Sequence, residues 1–335
     1  MTSITYQNQQ HDVNPQETVL DCLLRHDVDI PYACKAGVCH VCVMACEEGD
    51  VPSEAINGLR DIQIDNGYFL ACQCVPAQSL KIDIADESRL FSIAWLESKT
   101  SLSDTISKLI LKPKIKLDYL AGQFINIRMN KSHIRSYSLA NMPNQDGTIE
   151  LHIKKMHNGK LSHWLVDDSN VTDEIEIQGP FGFCTYQLAI TDKDIIMIAT
   201  GTGLAPVLGV LMDAFAHSHT GHISLYHGGR QLSDLYQHQR LVELAESHEN
   251  FDYYPCITKS DNASNEAVNI TTGRASEKAF SSYTEQQLAN THVYLCGSPE
   301  MVDNSKQQAL ILGAQETQIH CDPFVTKDLR LGKVR

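Results

Sequence analysis

Three hydrophobic rhythms follow one another along the chain. In the first, ETVLDCLLRHD (17–27) sets Val19, Leu20, Leu23 and Leu24 at helical spacing. Further on, LKIDIADES alternates, which predicts a strand with Leu80, Ile82 and Ile84 on one face. The second rhythm is a run of short alternating segments, TISKLIL, GQFINIRM, TIELHIKKM and DEIEIQG. Turn residues such as Asn144 to Gly147 separate them, and the pattern predicts an antiparallel barrel. The third begins with the continuous apolar strand Asp194 to Thr200, of the kind covered on both faces in parallel sheets. An apolar helix then runs through Ala216, followed by the strand HISLYHGGR. SDLYQHQRLVELAESH reads as a helix with Leu235, Leu241, Leu244 and Ala245 on one side. VYLCGSPEMV is a strand leading into a helix, with Ser298 as N-cap and Pro299 at the first helical position. Alternating strands and helices predict a doubly wound sheet.

At about 150 residues per domain, 335 residues make two or three domains. With 42% hydrophobic and 20% charged residues, 11 Pro and 19 Gly, the chain has enough apolar surface for packed cores and is neither disordered nor fibrous. No segment repeats internally. A net charge of −14 argues against nucleic acid or an anionic membrane as the main partner. Residues 1–90, with 5 basic and 14 acidic side chains, carry −9 of it, so one end is the acidic end. The most apolar stretch, Ala199 to Ala216, is broken by glycines, Pro206 and Asp213, short of the run of about 20 that a membrane span requires. The N-terminal residues lack a basic and then apolar signal pattern, so the expected location is the cytoplasm. In that reducing setting, eleven cysteines point to metal binding or redox work rather than disulfides.

Their spacing narrows the chemistry. Cys34, Cys39 and Cys42 form C-x4-C-x2-C, and Cys72 and Cys74 follow in LACQC. This is the plant-type spacing for a [2Fe–2S] cluster, whereas a zinc ribbon needs two close C-x2-C pairs. PYACKAGVCHVC, GYFLACQ and Pro76 four residues after Cys72 together resemble the plant-type ferredoxin domain. The resemblance implies that Cys34, Cys39, Cys42 and Cys72 are the ligands, with Cys74 a packed bystander. Gly37 sits in the loop that turns backbone N–H groups toward the sulfurs. His40 departs from the small residue usual there and is expected to be exposed and non-ligating.

Arg135-Ser136-Tyr137-Ser138 resembles the R-x-Y-S flavin signature of the ferredoxin–NAD(P) reductase superfamily. Gly159-Lys160-Leu161-Ser162 opens a short helix suited to a pyrophosphate. By this resemblance Arg135 neutralises the pyrophosphate and Tyr137 lies along the isoalloxazine. Ser138 hydrogen-bonds near N5, where hydride arrives, and GPFG (179–182) is the turn after the last barrel strand. Gly201-Thr202-Gly203 with Pro206 matches the superfamily's G-x-G-x-x-P phosphate cradle between strand and helix. Arg230 closes HGGR. Cys296-Gly297 in C-G-x-P resembles the nicotinamide-side motif, which puts Cys296 beside the reacting carbon, although a cysteine at a strand end also reads as packing. Phe324 in HCDPF is the candidate aromatic shield over the flavin.

In this order the modules resemble, over essentially the whole chain, the ferredoxin-first reductase components of multicomponent oxygenases. The fold implied is an α+β ferredoxin (β-grasp) domain over 1–88, an antiparallel β-barrel FAD domain over 91–190 and an α/β doubly wound nicotinamide domain over 191–335. The implied activity takes hydride from a nicotinamide onto FAD and releases electrons singly through the cluster, with Ser138 and Cys296 at the reacting centre. FAD is expected rather than FMN because the ferredoxin part comes first. NADH is expected over NADPH: Arg230 and Lys259 could meet a 2′-phosphate, but CITKS lacks the Ser-Arg pair of NADP-binding relatives. The expected partner is a terminal oxygenase or a ferredoxin with a basic docking patch, and the chain is expected to be monomeric. A deoxysugar dehydratase as recipient and a redox sensor without turnover are the alternatives.

Overall fold

The N-terminal hairpin of the computed structural model shows how local chemistry shapes the chain. Strands β1 (Ser3–Tyr6) and β2 (Gln9–Asp12) are joined through Gln7 and Asn8, both at positive φ (49° and 61°), the twist that two-residue hairpin turns favour. The structure describes residues 2–86, 90–130, 133–259 and 270–325. Helix α1 (Val19–Arg25) begins where the Thr18 hydroxyl accepts from the Asp21 N–H, and it buries Val19, Leu20, Cys22 and Leu23. With β3 (Val43–Glu48), α2 (Asp61–Asp65), β4 (Tyr68–Leu70) and β5 (Leu80–Ile84), it builds the first unit. The sheet order is β2-β1-β5-β3-β4, with β1 and β5 parallel and the other pairs antiparallel. Leu80 and Ile82 are buried as expected, but Ile84, the last residue of its strand, runs past the core and is 44% exposed.

The second sheet contains β6 (Ser92–Ser101), β7 (Ile106–Pro113), β8 (Phe124–Asn130), β9 (His133–Ser138), β10 (Ile149–Lys154) and β11 (Glu174–Phe181). Its order is β10-β7-β6-β11-β8-β9, antiparallel throughout, and one bridge between Leu139 and Leu151 links its two edges. Residues alternate along β8. Ile125 and Ile127 enter the core of this unit, while Phe124 packs with Ala33, Cys39 and Val41 of the first unit. Helix α3 (Lys160–His163) continues into a wider π turn through Asp168.

The third sheet is parallel, in the order β15-β14-β13-β12-β16-β17: β12 (Ile195–Thr200), β13 (Ile223–Gly229), β14 (Phe251–Ile257), β15 (Thr271–Thr272), β16 (His292–Gly297) and β17 (Ile319–Pro323). Ile195, Met197 and Ala199 face α4 (Leu204–Ala216) and α5 (His238–Ser247). Ile196 and Ile198 face α6 (Ala275–Ser281), α7 (Glu285–Leu288) and α8 (Pro299–Ile311) on the other side. That two-sided burial is why β12 reads as a continuous apolar run. Ser298 caps α8 by accepting from the Met301 N–H, with Pro299 in the first turn. The helix expected from Ser233 starts only at His238. Leu235 is buried before it, in a separate turn that Asp234 ties to the N–H groups of Arg230 and Gln231. No described helix is long and apolar enough to cross a membrane.

Candidate functional site

The thiols expected to ligate iron come as two pairs. The Cys34 N–H donates to Cys39 Sγ at 3.3 Å, the Cys39 N–H to Cys34 Sγ at 3.4 Å and the Ala36 N–H to Cys34 Sγ at 3.3 Å. Cys42 and Cys72 form the second pair, and the Gln73 amide and the Gly37 N–H both donate to Cys72. In each pair one thiol, Cys34 or Cys72, is held below its ordinary range by its neighbour's hydrogen bond, while Cys39 and Cys42 rise. Two such cysteine pairs, each fed by backbone N–H donors, fit a cluster with two cysteines per iron. Cys74 is fully buried in the first core.

His40 is not exposed. It takes φ +53°, the left-handed region in which glycine is at ease, and it is buried with its ring centroid 4.7 Å from that of Phe181. Packing against the second unit removes the histidine from solvent, a tertiary effect that spacing along the chain does not carry.

One cleft of about 800 Å³ gathers residues from all three units, within the range of about 300–1,000 Å³ usual for ligand sites. Arg135, Ser136, Tyr137 and Ser138 line it from β9, and Gly159, Lys160, Leu161 and Ser162 line it from the start of α3. Cys34 and Cys39, but neither Cys42 nor Cys72, reach it from the first unit. Thr202 and Phe324 reach it from the third. Among the described residues neither Arg135 nor Lys160 forms an ion pair, so two uncompensated cations face the cleft. That charge and the apolar walls fit a dinucleotide with a pyrophosphate and an aromatic ring system. The Ser162 hydroxyl is used within the turn, donating to Gly159 O and accepting from the Met156 N–H.

The nicotinamide motifs meet backbone to backbone. A Cβ on Gly203 would lie 2.2 Å from the Cys296 carbonyl oxygen, and one on Gly297, at φ +141°, would lie 2.3 Å from Thr200 Oγ1. Only glycine permits that approach. Gly201 to Gly203 form a tight turn, and Pro206 is buried in the first turn of α4. Arg230 and Lys259 are exposed at the ends of neighbouring strands, where the Lys259 N–H donates to Arg230 O. Cys296 is 1% exposed, does not line the cleft, and has its sulfur 3.6 Å from that of Cys184, which does. Its thiol therefore packs behind the cleft wall. The Phe324 N–H donates to Gly297 O, fixing that residue at the cleft edge.

Two residues that bear on the cleft have no motif in the sequence reading. Asp322 in β17 accepts from the Ser138 hydroxyl at 2.9 Å, and burial pushes its carboxyl up to about 6 despite that hydrogen bond. Asn126 in β8 is fully buried and donates to the carbonyl of Cys39 at 2.7 Å. The only sequence signal for either is a polar residue at an inward strand position.

Three family profiles match in succession: a 2Fe-2S iron-sulfur cluster binding domain over 4–77, an oxidoreductase FAD-binding domain over 94–186 and an oxidoreductase NAD-binding domain over 197–307. Over 329 residues the chain is 30% identical to the phenol hydroxylase P5 protein of Acinetobacter pittii, covering 94% of this chain and 91% of that one. The chain belongs to the ferredoxin-first flavoprotein reductases. Another relative, at 28% identity over 92% of this chain and 93% of its own, is the CDP-6-deoxy-L-threo-D-glycero-4-hexulose-3-dehydrase reductase of Yersinia pestis. The fold matches the crystal structure of the Amycolatopsis cytochrome P450 reductase GcoB with a TM-score of 0.68 at 24% identity, over 97% of this chain and 99% of that one. This ferredoxin-first reductase is thus an NAD(P)H-dependent oxidoreductase with sites for a [2Fe–2S] cluster, FAD and a nicotinamide.

Proposed function

We propose that this reductase takes hydride from NADH at the cleft and delivers electrons one at a time, through the Cys34–Cys39 side of the cluster, to an oxygenase or an intermediary ferredoxin. One observation carries the reading: the R-S-Y-S segment and the Cys34–Cys39 pair line the same cleft. A bound flavin would supply the fold with two-electron uptake and one-electron release. The chain's own residues bind and orient. Arg135 and Lys160 hold the pyrophosphate, with Gly159 leaving the backbone open to it. Ser136 and Tyr137 frame the ring system and Phe324 covers its outer face. Ser138, held by Asp322, presents its hydroxyl where hydride arrives. Gly201, Thr202, Gly203, Pro206 and Gly297 seat the nicotinamide dinucleotide, and Arg230 stands on the adenosine side. Cys296 serves that seat through its main chain at Gly203 rather than through an exposed thiol.

We take the boundaries as 1–88, 91–190 and 191–335, and the second sheet as a barrel closing at the Leu139–Leu151 bridge. The relatives serve phenol hydroxylase and a deoxyhexulose dehydrase by name, so a sugar-modifying partner is the second reading. The acidic first unit suits a basic face on either partner.

Cys39→Ser tests the division of labour. NADH-driven reduction of ferricyanide, taken at the flavin, should persist, while cytochrome c reduction should fall by about 100-fold. Equal loss of both activities would contradict the proposal.

A further inference from the structure

A row of three polar side chains crosses the second sheet where it meets the first unit. Ser136, Asn126 and Gln178 are register partners on β9, β8 and β11. The Asn126 amide spends both protons and its oxygen there: Nδ2 donates to Cys39 O at 2.7 Å and to Gln178 Oε1 at 2.9 Å, and Oδ1 accepts from the Ser136 hydroxyl at 2.8 Å. Flipping the amide would set its oxygen against the Cys39 carbonyl, which can only accept, so that partner fixes its orientation. Asn126 is fully buried and Gln178 nearly so. Apolar contacts surround the row: Phe124 and Ile134 with Ala33 and Val41, and Phe181 with His40. One end of the row, Ser136, belongs to the flavin signature, and the central Asn126 holds the main chain of a cluster ligand.

We propose that Asn126 is the positioning residue that registers the cluster loop on the flavin face and so sets the rate of electron passage between them. The inference rests on the electron route proposed above. At this buried interface a donor that loses its acceptor goes unpaired at a cost, so the Cys39 carbonyl has one low-energy seat. Ser136 orients the amide from within the cleft wall, which ties the seat to the flavin site. Apolar packing alone would let the loop slide, because it is non-directional. Asn126 touches neither the cleft nor the four sulfurs; it acts through Cys39 O.

The test uses FAD- and iron-loaded protein carrying Asn126→Asp, which keeps the shape but loses both donors. Asn126→Ala is the second variant should the buried carboxylate prevent folding. Stopped-flow mixing with NADH resolves flavin reduction from cluster reduction. Hydrogen exchange read by mass spectrometry follows residues 33–41. The flavin phase should stay within about twofold of wild type. The cluster phase should slow by about tenfold or more, and exchange over 33–41 should rise. A cluster phase that keeps its wild-type rate, two phases slowed in the same proportion, or unchanged exchange would each overturn the proposal. If the wild type itself shows no reduction by NADH, the electron route fails, and exchange alone then decides whether Asn126 seats the loop.

Discussion

Ser138 Oγ donates to Asp322 Oδ2 at 2.9 Å, joining the flavin signature on β9 to the C-terminal strand of the nicotinamide sheet across 184 positions. The bond places an ionisable group beside the hydroxyl at the proposed reacting centre. The burial that pushes Asp322 up to about 6 lets it change state near neutral pH. Above that value the carboxylate accepts from Ser138; below it the neutral acid becomes a donor.

The rate of NADH-driven flavin reduction should therefore titrate near pH 6, and Asp322→Asn should flatten the profile between about pH 5 and 7. The sign for stability follows from the same shift. The native protein binds this proton more tightly than the unfolded chain, so the contribution is fully present below the ordinary aspartate range and is lost as pH rises through about 6. Thermal unfolding should find Asp322→Asn gaining more over wild type at pH 7.5 than at pH 5. A gain of the same size at both would remove Asp322 as the titrating group.

Gly203→Ala forces a methyl group onto the Cys296 carbonyl. The variant should lose about 1–3 kcal/mol of stability and raise the KM for NADH more than it lowers kcat, since the displaced turn is the proposed dinucleotide seat. Steady-state kinetics beside a melting curve reads both effects, and wild-type KM would show that the turn does not contact the nicotinamide.

The charge of −9 on residues 1–90 predicts that transfer to a basic acceptor such as cytochrome c weakens as salt rises, while ferricyanide reduction does not follow the same decline. A salt-independent cytochrome c rate would move the docking face off the first unit.

Local sequence carried what depends on neighbours along the chain. The cysteine spacing that marks a [2Fe–2S] domain, the helix start at Ser298-Pro299 and the apolar run of β12 are short-range patterns, and the family match and the structure agree with them. What local pattern could not carry lies between units. His40 is turned inward by Phe181, and Asn126 reaches Cys39 across 87 positions. Asp322 owes its raised carboxyl to packing that brings β17 against β9. Ile84 and Leu235 show the smaller failure, where periodicity continues past the point at which the strand leaves the core or before a turn lets the helix begin.

The most direct measurement is an anaerobic titration of the FAD- and iron-loaded protein, once with NADH and once with NADPH, recording flavin and cluster absorbance together. NADH should bleach both chromophores, and NADPH should do so only weakly. Failure of both nicotinamides to reduce a fully loaded protein would contradict the proposed function and leave a redox sensor without turnover.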